Sequence, residues 1–254
     1  MQKETIAIHA GYNKKEGYGT MSVPIAQTTA YAFRDSEHAA NLFALKELGP
    51  IYTRLTNPTT DVLEQRFAAL EGGAAAICTS SGQAASFFAI ANVAEAGDNV
   101  LISDKLYGGS VTLLTYTMKR FGINAKVFKS DDASDLESLI DDKTKAIYFE
   151  SLSNPQIAIP DVEKVVEIAK KHGVLTICDN TVASAALFNP IKWGVDVVVH
   201  STSKYTNGQG TAIGGIVVER DGLAEFFKAN SKRYSHFTTP DESYHGLVYT
   251  DVPL

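Results

Sequence analysis

Residues 174–215 read VLTICDNTVASAALFNPIKWGVDVVVHSTSKYTNGQGTAIGG. Two short apolar runs, 174–178 and 195–199, give way abruptly to polar residues. Asp179-Asn180-Thr181 follows the first and His200-Ser201-Thr202-Ser203-Lys204 the second. Short, β-branched runs bounded in this way are the pattern of strands buried on both faces of a parallel sheet. Ligands of open α/β sheets bind just past the carboxyl ends of the strands, so the pattern predicts Asp179 and Lys204 in one crevice. A carboxylate and an amine facing one crevice suit pyridoxal phosphate. The amine forms a Schiff base, and the carboxylate keeps the pyridine nitrogen protonated so that the ring accepts electrons.

Simpler roles exist for each residue alone. An Asp just past a strand is commonly a turn residue or a helix N-cap, and a Lys there is commonly a solvated charge. Ser201-Thr202-Ser203-Lys204 also matches S-x-x-K, the acyl-serine signature of penicillin-binding proteins and class A β-lactamases. That chemistry needs Ser and Lys one helical turn apart, with S-D-N and K-T-G elsewhere. Neither partner motif occurs, and YTNGQG at 205–210 does not continue as a helix.

The chain has 254 residues, 44% of them hydrophobic, enough for one large domain or two small ones. A formal charge of −6 argues against nucleic acid as a partner, since that requires a dense basic surface. Cys78 and Cys178 lie far apart in apolar runs, which reads as buried reduced thiols and no metal site. The first residues lack the apolar core of a signal peptide, and no run nears the roughly 18 apolar residues of a membrane span. The expectation is a soluble, cytoplasmic protein with no membrane association.

Residues 1–49 are the least regular. Gly11, Gly17, Gly19 and Pro24 interrupt any long helix, 23–33 reads as extended, and 36–48 as a short helix with Ser36 as N-cap. So apolar and loosely patterned a segment is expected to lie against another subunit. An amphipathic helix is predicted from Thr59 or Thr60 to Gly72-Gly73, with Val62, Leu63, Phe67 and Leu70 at helical spacing. Tyr52 and Arg54 precede it in a loop, and an Arg suits a phosphate as readily as a surface carboxylate.

Downstream, a short apolar run ends in Ser80-Ser81-Gly82, and a buried helix follows. A Gly at a helix start leaves N–H groups and the positive dipole end open to an anion. Strands are expected at 99–103, 125–128 and 145–150. Helices are expected within 107–121, at 134–140 with Ser134 as cap, and at 161–172 closed by Gly173. Together with the two runs first described, this is an α/β chain with a mainly parallel sheet sandwiched by helices. Tyr107, Asn154, Asp179 and Lys204 each follow a predicted strand. Other cofactor signatures fail: GQGTAIG at 208–214 misses G-x-G-x-x-G by one residue, and no P-loop, H-E-x-x-H or G-x-S-x-G occurs.

The chain resembles the Cys/Met-metabolism family of pyridoxal-phosphate enzymes, of aspartate-aminotransferase-like fold (fold type I), and within it the O-acetylhomoserine sulfhydrylases. The matching stretches are ETIAIHAGY, VPIAQTTAYAF, EHAANLFALKE, IYTRLTNPTTDVLEQRFAALEGG, SSGQAA, LYGGS, DNT, HSTSKY and SYHGLVY, in order along the chain. The resemblance implies that Lys204 forms the Schiff base and moves protons, its pKa lowered by burial and the adjacent cofactor. It implies that Asp179 pairs with the ring nitrogen, Thr181 lies against the ring, Tyr107 stacks on the other face and Asn154 approaches the ring hydroxyl. Gly82 and Gln83 would offer N–H groups to the phosphate, with Ser201 and Ser203 adding hydroxyls. Tyr52 and Arg54 would reach the phosphate of a neighbouring subunit, so the implied assembly is a homodimer or homotetramer.

The implied reaction is a γ-replacement on O-acetyl-L-homoserine, giving homocysteine or methionine in a methionine-forming pathway. The implied sulfur donor is sulfide, a thiol such as methanethiol, or a thiocarboxylate on a small sulfur-carrier protein. The acyl group, acetyl or another, stays open. Alternatives within the resemblance are cystathionine γ-synthase and methionine γ-lyase, although the Cys of the latter, two residues after the stacking Tyr, is here Gly109. The expected domains are an arm at 1–49 and a cofactor-binding large domain at 50–254. The family's smaller C-terminal domain, which supplies an Arg for the substrate carboxylate, would lie beyond Leu254. The expectation for the 254-residue piece alone is cofactor binding with impaired turnover, or an inactive fragment.

Overall fold

The alternation read from the sequence folds as a seven-stranded sheet. The computed structural model describes residues 2–15 and 19–235 and divides into two units, residues 1–67 and 68–254. All seven strands belong to the second: β1 (Ala75–Thr79), β2 (Asn99–Ser103), β3 (Asn124–Phe128), β4 (Thr144–Glu150), β5 (Leu175–Asp179), β6 (Val197–Ser201) and β7 (Gly215–Glu219). Their order is β1-β7-β6-β5-β4-β2-β3. β7 runs antiparallel to both neighbours, and every other pairing is parallel.

Every residue of β2, β4 and β7 is buried, the reason these strands read as unbroken runs instead of alternating ones. One face presents Val100, Ile102, Ala146, Tyr148, Leu175, Ile177, Val197, Val199 and Val217 to Ala85, Ala89 and Ile90 of a buried helix. The intervening residues Leu101, Ile147, Phe149, Val198 and Val218 point the other way, as the two-residue period requires, and are equally buried. Each such aliphatic side chain contributes about 1.5–3 kcal/mol on leaving water.

The helices of both units, in chain order, are α1 (Lys3–His9), α2 (Ser36–Phe43), α3 (Pro58–Glu71), α4 (Gly82–Ala91), α5 (Gly108–Thr112), α6 (Leu136–Leu139), α7 (Val162–His172), α8 (Ser184–Leu187) and α9 (Leu223–Ala229). The buried helix against the sheet is α4. Helix α7 packs beside β5 through a row that includes Val165, Val166, Ile168 and Ala169. Asp161 caps it by accepting the Lys164 N–H at 3.1 Å, and Gly173 closes it with φ 60°, as the sequence indicated.

Several expectations are corrected. Helix α2 is capped by Asp35, which accepts the His38 N–H at 2.7 Å, and not by Ser36. It also stops at Phe43, where Leu45 takes a left-handed φ of 53°. Ser134 does not cap α6, which is a single turn preceded by Ala133 at φ 47°. The helix expected within 107–121 is three pieces: α5, a π-helical turn (Leu113–Thr117) and a 3-10 turn (Met118–Phe121). The run at 195–199 begins its strand two residues later and carries it to Ser201. Helix α1, strand β7 and helix α9 were not anticipated.

In the first unit, residues 23–33 form no strand beyond the single bridge of Ala30 to Tyr52, and Gln27 N–H and Thr28 N–H bond back to Ile25 O and Ala26 O, so the extended run expected there is broken by tight turns. These residues are held by hydrogen bonds from the 51–59 segment, including Asn57 Nδ2 to Ala26 O at 2.9 Å and Thr59 Oγ1 to Pro24 O at 2.9 Å. Ile8, Met21, Ile25, Phe43 and Leu48 are exposed. The matched stretch SYHGLVY lies outside the described residues.

Candidate active site

The carboxyl ends of three neighbouring strands come together. In register, Glu150 at the end of β4 pairs with Asp179 at the end of β5, and Asp179 pairs with Val199 on β6. Ser201, the last residue of β6, pairs with Gly215. Residues 201–208 then form a run of turns: Lys204 N–H donates to Ser201 O at 3.2 Å, and Gly208 N–H to Lys204 O at 2.8 Å. No helix follows Ser201, which removes the geometry S-x-x-K chemistry needs.

The amino end of α4 lies directly against this turn. A Cβ built on Gly82 would stand 2.5 Å from Ser201 Cβ and 2.8 Å from Ser201 Cα, so only glycine permits the approach. Ser81 caps the helix by accepting the Ala84 N–H at 3.1 Å. The N–H groups of Gly82 and Gln83 stand in the first turn, where no helical carbonyl reaches them. The helix dipole adds positive potential at the same point. The result is a backbone cradle for an anion beside Ser201.

Asp179 is half-buried and held as an acceptor. Its Oδ1 takes the Thr181 N–H at 2.9 Å, and its Oδ2 takes the Tyr148 hydroxyl at 3.3 Å. Tyr148 is fully buried and also bonds Ser86 of α4 at 2.9 Å. Burial pushes the Tyr148 hydroxyl well above its ordinary range, with the Asp179 charge adding to it, so it remains a donor. Thr181 Oγ1 accepts the Ser201 N–H at 2.8 Å and ties β5 to β6.

Glu150 was missed by sequence reasoning. Its Oε1 accepts the Tyr107 N–H at 2.7 Å and its Oε2 the Asn154 N–H at 3.0 Å, so one carboxylate links two residues singled out from the sequence. Burial raises its pKa to about 7; the two backbone donors oppose the shift and the neighbouring Asp179 adds to it. The signal was available, because KAIYFE ends in a carboxylate at a strand's carboxyl end, just as the Asp179 run does. Tyr148 and Ser86 were also missed, being plain members of an apolar strand and an Ala-rich helix.

Tyr107 is half exposed and Asn154 exposed. A Cβ on Gly109 would lie 2.5 Å from Tyr107 Cε1 and 3.2 Å from Gln83 Nε2, which gathers Tyr107 and Gln83 around Gly109. Ser203 spends its hydroxyl on Gly214, accepting its N–H at 3.0 Å and donating to its carbonyl at 3.3 Å. Lys204 is exposed, where the resemblance implied a buried amine. Tyr52 and Arg54 belong to the first unit, with the guanidinium carbon 5.5 Å from the Tyr52 ring centroid.

Behind the strand ends lies a buried polar cluster. Glu71 Oε1 meets His200 Nε2 at 2.6 Å and Asn180 Nδ2 at 2.9 Å, while its Oε2 receives Asn189 Nδ2 at 3.3 Å. Asn180 and His200 directly follow and precede Asp179 and Ser201, so Glu71 fixes both strand ends from behind. Among the described residues Cys78 and Cys178 form no disulfide, no acidic, His or Cys group is arranged to hold a metal, and no helix is long and apolar enough to cross a membrane.

Comparison with known proteins follows this geometry. The family model described as Cys/Met metabolism PLP-dependent enzyme matches residues 4–246. The chain is 48% identical over 250 residues to Sulfhydrylase FUB7 of Fusarium oxysporum f. sp. lycopersici, covering 98% of this chain and 57% of that protein. It is 47% identical over 249 residues to O-acetyl-L-homoserine sulfhydrylase of Leptospira meyeri, covering 98% and 55%. Among solved structures, an O-acetylhomoserine (thiol)-lyase of Campylobacter jejuni, which contains N'-pyridoxyl-lysine-5'-monophosphate, superposes with a TM-score of 0.92. It is 55% identical, with 100% of this chain and 62% of that one covered. Cystathionine gamma-lyase from Lactobacillus plantarum gives a TM-score of 0.80 at 31% identity, over 93% and 58%. The chain thus spans little more than half the length of the curated relatives it matches.

Proposed function

The chain belongs to the Cys/Met metabolism family of PLP-dependent enzymes, and from this we propose that it serves a γ-replacement on O-acetyl-L-homoserine, with sulfide or a thiol as the incoming nucleophile. The observation that carries the reading is the juxtaposition at one sheet end of Asp179, the 201–204 turn and the bare amino end of α4. This arrangement fits pyridoxal phosphate: glycine at 82 lets the bare amino end of α4 close against Ser201, where its N–H groups suit the phosphate, and Asp179 offers a fixed carboxylate to a protonated ring nitrogen. Gly82 and Gln83 would hold the phosphate through N–H groups, with the Ser201 hydroxyl beside them and Ser203 shaping the turn. Tyr107 would stack on the ring, Thr181 would lie against its other face, Asn154 would approach the ring hydroxyl, and Lys204 would bind the group covalently.

When bound, pyridoxal phosphate supplies an electron-withdrawing ring that lets a carbanion form beside an amino group. The residues of the chain supply the rest. Asp179, held by the Thr181 N–H and the Tyr148 hydroxyl, would present its carboxyl group to the ring nitrogen. Lys204 Nζ takes the proton from the substrate Cα, general-base work that needs its amine neutral. A second proton then leaves Cβ as acetate departs from Cγ, and the sulfur nucleophile adds to Cγ while Cβ and Cα regain protons. Gly109 favours this over the methionine γ-lyase type, whose Cys two residues after the stacking Tyr is absent here.

In the same reading the protein is a cytoplasmic homodimer or homotetramer acting in methionine formation. Its exposed arm at 1–49, with Tyr52 and Arg54 just beyond, would serve a neighbouring copy's site. The large domain at 50–254 would hold the cofactor, and a sulfur-carrier protein could stand in for free sulfide. The test is product analysis with O-acetyl-L-homoserine and sulfide. Homocysteine with equimolar acetate is expected. Cystathionine formed from added cysteine, or 2-oxobutanoate released from methionine, as the faster reaction would contradict the reading.

A further inference from the structure

We propose that Glu150 is a positioning residue whose single carboxylate clips together the two loops that bear Tyr107 and Asn154. The inference rests on the cofactor reading above and adds a residue to it. Tyr107 leaves the end of β2 through residues 104–107, and Asn154 leaves the end of β4 itself. The Tyr107 side chain is half exposed and makes no cap hydrogen bond to α5. Its carbonyl accepts the Val111 N–H at 3.0 Å, and its N–H is held by the 2.7 Å bond to Glu150 Oε1, as that of Asn154 is by the 3.0 Å bond to Oε2. Each oxygen of one side chain therefore serves one loop, and the loops cannot shift independently while both bonds stand.

The residue type is unusual for its position. Glu150 is 5% exposed and sits in register beside a second carboxylate, Asp179. Burying a like-charged neighbour is unfavourable, and an aliphatic residue would complete the strand as well. An ionised carboxylate, the form Glu150 takes above about pH 7, has two acceptor oxygens and no donor, which is what two converging N–H groups require. Glutamine has the same shape but only one acceptor; its NH2 would face an N–H. Glu150→Gln therefore opens one half of the clip and leaves packing alone.

Two measurements test this. In the cofactor-free chain, amide hydrogen exchange at Tyr107 and Asn154 is expected to rise about tenfold at one or both sites in Glu150→Gln, the scale of one lost hydrogen bond to a charged group. In the chain loaded with pyridoxal phosphate, Glu150→Gln is expected to keep a borohydride-sensitive absorbance band while its visible circular dichroism falls by about half and cofactor affinity drops roughly tenfold. Phe227→Leu in α9 serves as the control: it lowers stability and leaves both readings unchanged. Unchanged exchange at both amides overturns the clip. Faster exchange with unaltered visible circular dichroism overturns the positioning role and leaves a structural one. A wild-type chain that binds no pyridoxal phosphate sinks the cofactor reading and the positioning role together, while exchange still reports whether the clip exists.

Discussion

Tyr148 on β4 donates its hydroxyl to Asp179 on β5 across 3.3 Å, and Ser86 of α4 closes the chain at 2.9 Å. The carboxylate proposed to face the cofactor is thus steadied from the core side by a fully buried phenol. Tyr148→Phe keeps the ring and removes the donor, leaving the Ser86 hydroxyl buried with a lost partner. The expected cost is about 1–2 kcal/mol of unfolding free energy by urea titration, with a several-fold weaker affinity for pyridoxal phosphate.

Gly82 is predicted to tolerate no side chain. Gly82→Ala places Cβ within 2.5 Å of Ser201 Cβ, on backbone that cannot rotate away. The strand end or the helix start must move, at about 1–3 kcal/mol of overpacking. Pyridoxal phosphate affinity should fall more steeply than stability does, because the displaced groups are those aimed at the phosphate. Fluorescence titration of the cofactor against a urea curve on the same sample separates the two effects.

Glu150 makes the stability of the cofactor-free chain depend on pH in an uncommon direction. Its pKa is raised from 4.5 to about 7, so between those values the folded chain holds a proton that the unfolded chain has lost. Stability from this group is therefore full at the acid end and is lost as pH rises through about 7, by roughly 3 kcal/mol in all. Urea midpoints of wild type and Glu150→Gln between pH 5 and 8 should diverge with exactly that sign: the variant lacks the decline.

Glu71 holds His200, Asn180 and Asn189 in a buried cluster. Glu71→Ala removes the acceptor that His200, Asn180 and Asn189 share, while the two amides keep Phe188 O and Leu70 O, and is expected to lower unfolding free energy by about 1–3 kcal/mol. Glu71→Gln, which still accepts through one oxygen, should cost less. Thermal unfolding of the two variants side by side gives the ranking.

Much of this was legible in the sequence because parallel strands buried on both faces write themselves as short apolar runs. The polar residues after them fall at one end of the sheet, which is why Asp179, Lys204, Tyr107 and Asn154 were singled out. Strand β7 was hidden because it follows a polar, Gly-containing loop and runs against the β-α-β rhythm. The break of the 107–121 helix into α, π and 3-10 turns leaves no mark in residue type. Glu150, Tyr148 and Glu71 escaped because each lies within or beside an apolar segment, where only the register across strands reveals what a polar atom meets. The exposure of Lys204 was invisible for a related reason: burial of a loop residue depends on what packs over it.

The central claim is that this chain holds pyridoxal phosphate on Lys204, and the most direct measurement is a visible absorbance spectrum of the reconstituted chain before and after borohydride, with Lys204→Ala beside it. The account predicts a yellow band that borohydride bleaches and that the variant lacks, with the label recovered on the peptide containing Lys204. A colourless wild-type chain, or a band that Lys204→Ala retains, would contradict it.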